Sequence, residues 1–141
     1  MKKYFLIVFS GLLILSFLSI GAGVSPTNPQ NKDLGIGPVK SVELGPLDKK
    51  MADKGKAVFN TKCIICHDLD QAKVGPTLRN ETKLRTPEFI MNMLVNTIQM
   101  QKENATIKEQ IKKYNNIIMT PPLLSQEQAR TVLEYLRSVA K

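Results

Sequence analysis

The sequence has no tryptophan, one histidine and two cysteines among its 141 residues. Each scarcity excludes something. A single histidine, His67, rules out an iron or other metal held by two imidazoles of this chain, and no plausible acid–base pair stands near it. Two cysteines with no second donor cluster do not complete a structural zinc site, which takes four protein ligands. Aromatics make up 6% and the lysines are spread along the chain, a poor basis for binding nucleic acid. No stretch alternates long enough to suggest a sheet, and no internal repeat is visible.

What is present begins with an apolar run. Residues 4–20, "YFLIVFSGLLILSFLSI", carry no charge and follow "MKK"; small residues come next. The pattern reads as a secretory signal over residues 1–23, with a cut after Gly23. The run is longer than the usual apolar core of a signal and shorter than a comfortable bilayer span, so an uncleaved membrane anchor stays open. Either reading makes the domain periplasmic or otherwise extracytoplasmic. The formal charge is 20 − 12 = +8, and without Lys2 and Lys3 it is 18 − 12 = +6. Such a surface is soluble, and complementary charge on an acidic partner would speed encounter.

Residues 24–46 are rich in Pro, Gly, Asn and Ser, without an apolar period, and read as a linker or an arm lying on the domain. Residues 47–141 read as a helical domain. A first helix over 47–62 puts Met51, Gly55, Val58 and Phe59 on one face. A second opens with Thr86 as N-cap and Pro87 at its first position, and runs on through "FIMNMLVNTI". A third, near 104–114, aligns Ile107, Ile111 and Tyr114. The last starts at Ser125 with a capping box to Gln128 and buries Ala129, Val132, Leu133, Leu136 and Val139. So small a domain often needs something besides side chains to complete its core.

The scarce residues all fall in "TKCIICHDLD": Cys63, Cys66 and His67. In an exported chain a disulfide is the ordinary use of two cysteines, but three positions apart they close too small a loop to stabilise much. A thiol–disulfide active site starts a helix beside a sheet, and no strands are expected here. Covalent attachment of c-type haem uses all three residues at once. Each thiol adds to one vinyl group, and the adjacent imidazole coordinates the iron.

At these residues the sequence resembles a known family, the small class I monohaem c-type cytochromes of bacteria. The resemblance covers about residues 34–141 and is carried, in order, by "KGKAVFNTKCIICH", "KVGPTL", "RTPEFIMNMLVN", "YNNIIMTPPLLS" and "QARTVLEYLRS". It implies an all-α cytochrome c fold of about four short helices around one covalent haem c, preceded by an irregular N-terminal arm. It implies a carbonyl at Pro76 that accepts the proximal histidine's N–H. The long stretch between "KVGPTL" and Met119 resembles a subgroup found with terminal reductases and oxidases, which would be the redox partners. Tyr114, Asn115 and Arg85 are candidates for the haem propionates, with nothing to choose among them. The Ile64–Ile65 pair reads as core against the haem edge.

The sixth iron ligand decides the function. Methionines lead the candidates, with lysine or asparagine less common. Met91 and Met93 sit within the second helix, where methionine usually fills core. Met100, at that helix's ragged end, is an alternative. Met119 precedes Pro121–Pro122 in a segment that cannot be helical, and the prolines stiffen it. The family resemblance puts its distal methionine there too. With His67 and Met119 as axial ligands the chain is a one-electron carrier and not an enzyme. The competing readings are a haem enzyme or gas sensor with a labile sixth ligand, and a redox-inert subunit that positions a partner.

Overall fold

The computed structural model describes residues 32–141, and the signal or anchor expected over 1–23 lies outside them. The described residues are all-helical: α1 (Lys49–Lys62), α2 (Glu81–Leu84), α3 (Pro87–Val95), α4 (Thr97–Glu103), α5 (Ala105–Lys113) and α6 (Gln126–Val139). None of these helices is long and apolar enough to cross a membrane.

Helix starts follow local chemistry. Asp48, Thr86, Asn104 and Ser125 each accept a backbone N–H from the first turn of their helix, and Ser125 with Gln128 completes the capping box. The count is six where about four were expected, for two reasons. A single turn, α2, forms ahead of Thr86, and the long second helix divides at Asn96. There the backbone leaves the helical region (φ −134°, ψ 41°), and the Asn96 side-chain carboxamide donates to the Ile36 carbonyl. That partner comes from sixty residues away, so the apolar period gave no warning of the break.

The core forms where α1 crosses α6. Ala52, Gly55 and Phe59 are the buried face of α1, while Met51 and Val58 are only half-buried. The helices meet so closely at Gly55 that a Cβ there would overlap the Thr131 carbonyl. One turn on, the Phe59 and Tyr135 rings pack tilted, with centroids 5.3 Å apart. On α6, Val132, Leu133 and Leu136 are buried as expected, and Val139 is half-buried.

Residues 32–46 are irregular and lie on the domain. Asn92, buried on α3, accepts the Val39 N–H at 3.0 Å and donates to the Val39 and Leu34 carbonyls. The start of α1 is tied to α6 by Glu134, which is fully buried and accepts the Asp48 N–H. Burial alone would raise the Glu134 carboxyl. The Asp48 N–H together with Arg130 and Arg137 outweighs it and holds the group below the usual carboxylate range.

Two substitutions test this frame. Gly55→Ala must push α1 off α6 and should cost about 1–3 kcal/mol, read as a lower urea midpoint. Glu134→Gln leaves two arginines half-paired and should cost about 2–4 kcal/mol at neutral pH. Because the folded value is depressed, the unfolded chain binds more protons in the window below about pH 4.3, the ordinary glutamate value. The parent therefore loses this contribution as pH falls through the folded value, and the gap between parent and variant should narrow there. A gap that stays constant into acid would contradict this account of Glu134.

Candidate functional site

The turn after α1 is built around the Cys63 carbonyl. Cys63 is the C-cap of α1, and its C=O accepts the N–H groups of Cys66 (3.1 Å) and His67 (2.9 Å). The chain thus curls through one further turn, setting the two sulfurs and the imidazole side by side. The Cys66 carbonyl then accepts the Gly75 N–H at 2.9 Å, which folds residues 73–76 back against the histidine.

That return fixes the imidazole. His67 Nδ1 lies 2.9 Å from the Pro76 carbonyl oxygen. A carbonyl only accepts, so Nδ1 carries the proton in this bond and Nε2 keeps its lone pair. Gly75 lies flat against the ring: a Cβ there would sit 2.5 Å from His67 Cε1. The imidazole is held from one side and pressed from another, as a metal-ligating histidine commonly is.

Cys63, Cys66 and His67 open onto a cavity of about 340 Å³ to which every helix contributes. Phe59, Phe89, Ile107, Ile111, Val132 and Leu136 make much of its apolar wall. Met119 lines the same cavity from the 115–124 loop, and so does Met93 from α3. Met93 is therefore a second thioether on the wall, not simply core filler as its helical position suggested; Met91 is core. Met100 is fully buried elsewhere, its Sδ accepting the Ile36 N–H at 3.0 Å, and it does not line the cavity. Pro76 lines it, as does Tyr114; Arg85 and Asn115 do not.

Three features escaped the sequence reading. Ile64 and Ile65 are not packed in the cavity: Ile65 is 79% exposed, and the turn directs both outward. Glu81 stands in the cavity wall, where burial pushes its carboxyl up and Arg85, 3.8 Å away, only partly offsets this. Gln101 also lines the cavity and bonds both backbone groups of Met119.

The Cys63 thiol is not activated as an attacking thiol. Burial pushes Cys63 up to about 11, the reverse of the lowered value a thiol–disulfide site requires. A flat apolar group joined through Cys63 and Cys66, with iron at Nε2 of His67, suits this donor set and these walls.

A family model described as Cytochrome c matches residues 52–140. The chain belongs to the cytochrome c family. Among solved structures it is similar to the cytochrome c from Rhodothermus marinus, with 46% identity and a TM-score of 0.71, over 74% of this chain and 90% of that one. An engineered form of that protein matches at 45% identity and TM-score 0.71, with the same coverage. The same engineered form bound to a carbene intermediate (1-ethoxy-1-oxopropan-2-ylidene) matches at 45% and 0.68, again with the same coverage. No curated protein matches the sequence. The neighbours are class I monohaem cytochromes c, and membership makes the chain an electron-transfer protein with covalent haem c, Cys63 and Cys66 standing at the C-x-x-C-H spacing.

The wall behind the imidazole offers a direct test. In Gly75→Ala the new methyl must tilt the His67 ring away from the Pro76 carbonyl. The haem-loaded variant should melt roughly 5–15 °C lower than the parent and show less low-spin haem. Unchanged melting and an unchanged spectrum would mean the ring is not held by this contact.

Proposed function

We propose that the chain is an exported one-electron carrier of a respiratory chain, its iron held by His67 and Met119. The observation behind this reading is that a tied imidazole and a loop thioether line one apolar cavity. When bound, the haem supplies a reversible one-electron couple, and His/Met ligation raises its potential.

The residues of the chain do the rest. Cys63 and Cys66 hold the group covalently, so it is not lost between partners. The Pro76 carbonyl keeps the His67 proton on Nδ1 and its Nε2 free to donate to iron. Phe59, Phe89, Val132 and Leu136 keep water from the buried side. Ile117 and Ile118 are exposed beside the cavity opening, with Lys62 also on its rim. That combination suits brief docking to acidic redox partners: a membrane-linked donor and a reductase or oxidase as acceptor. Residues 4–20 serve either as the export signal or as an attachment to the membrane, and place the domain in the periplasm.

A rival reading is a labile sixth position serving an enzyme or sensor. It draws on the engineered neighbour that binds a carbene intermediate.

One set of spectra separates the two. The oxidised parent should show low-spin haem with the weak long-wavelength sulfur-to-iron band, and the reduced parent should bind carbon monoxide poorly. Met119→Ala should lose the band and bind carbon monoxide readily, whereas Met93→Ala should keep the band. Loss of the band in Met93→Ala alone would move the ligand to α3, and ready carbon monoxide binding by the parent would favour the rival.

A further inference from the structure

Met119 packs against the core, but its segment has few backbone hydrogen bonds to hold it. Between Ile118 and Leu124, among the described residues, the backbone hydrogen bonds are two, and both are at Met119. Two of these positions are proline and have no N–H to give. Asn115, Asn116 and Leu123 have left-handed φ values of 55°, 60° and 54°, and Leu123 is 86% exposed. Left-handed backbone is disfavoured for leucine. Prolines narrow what this loop can do, and Pro122 is buried, but neither proline can hold Met119 through a backbone N–H.

Gln101 holds Met119. Its Oε1 accepts the Met119 N–H at 2.6 Å and its Nε2 donates to the Met119 carbonyl at 3.0 Å. One carboxamide thus satisfies both backbone groups of the residue that carries the thioether, from a side chain that itself lines the cavity. The anchor is firm because its neighbour Met100 is fully buried, with Sδ accepting the Ile36 N–H from the arm. At the far end of α4, Asn104 is buried and caps α5.

We propose that Gln101 is the positioning residue for the sixth ligand: α4, through this double hydrogen bond, sets how readily Met119 leaves the iron. The proposal rests on the reading of Met119 as that ligand. The loop alone samples several backbone arrangements, and only those with Met119 opposite Gln101 keep Sδ over the cavity. A chain with a non-bonding side chain at 101 still contains the thioether and still folds around the haem, but its open form is more populated. The property that changes is ligand lability.

The test uses the full haem-loaded protein. For parent, Gln101→Leu and Gln101→Glu, one raises the pH and measures the midpoint at which the oxidised sulfur band is lost, with Met119→Ala as the control without the band. The rate of carbon monoxide binding to the reduced form is read alongside. Leucine fills similar volume without either bond. Loss of both bonds should lower the midpoint by about one pH unit and speed carbon monoxide binding roughly tenfold. Gln101→Glu keeps the acceptor for the Met119 N–H and loses the donor; its midpoint should fall too, which keeps the test open if Gln101→Leu loads haem poorly. A packing role for Gln101 would change melting temperature but leave both readouts alone. Variants at 101 whose midpoint stays within about 0.3 pH unit and whose rate stays within about twofold of the parent, while Met119→Ala loses the band, overturn the proposal alone. A band that survives Met119→Ala overturns the ligand reading and this proposal with it.

Discussion

Where α1 passes over α6 there is room at position 55 for a hydrogen atom and nothing larger, and the rest of the molecule is arranged by that contact. The closeness lets Phe59 reach the Tyr135 ring one turn later. Cys63 follows after one more turn, as the residue that ends the helix. Glu134 secures the other end of α1 from the same partner helix. The first attachment point of the haem is thus a fixed distance along a rod pinned at two places. A looser crossing would leave the sulfurs and the imidazole correctly spaced relative to one another and wrongly placed relative to the walls they must share.

The two sides of the cavity are held by different physics. On the histidine side the determinants are local: Cys63 to His67 is a single turn, and Pro76 is nine residues away. Short closures of this kind form early and lose little entropy. The methionine side depends on a loop that comes four helices later in the chain, after α2, α3, α4 and α5. Regions with few backbone hydrogen bonds open most easily, so the two sides of the cavity differ in how freely they yield. A carrier gains from this asymmetry, since the covalent side need never move.

Much of this was legible in the sequence, and the remainder was not for a common reason. Thr86 and Ser125 announced helix starts because a cap is satisfied within three residues. The C-x-x-C-H grouping announced its chemistry because all three residues serve one group. The break at Asn96, the burial of Met100 and the outward turn of Ile65 depend on partners far along the chain or on a turn that repositions a whole segment. Apolar periodicity sees only neighbours three and four residues apart, so it ran straight through Asn96. Gln101 gave no signal at all: a lone glutamine in a helix is ordinary until its partner is known. The charge surplus said only that the surface is basic.

Asn92 and Gln101 share one geometry. Each carboxamide meets both the N–H and the C=O of a single residue, Val39 in one case and Met119 in the other. That is the pairing a neighbouring strand would provide, reduced to one rung. A ladder of rungs dictates the direction of the chain it holds, because successive residues must all align. A single rung fixes a point and leaves direction free. An all-helical protein can therefore fasten irregular segments that cross its helices at any angle, using a pivot where a sheet would need a rail.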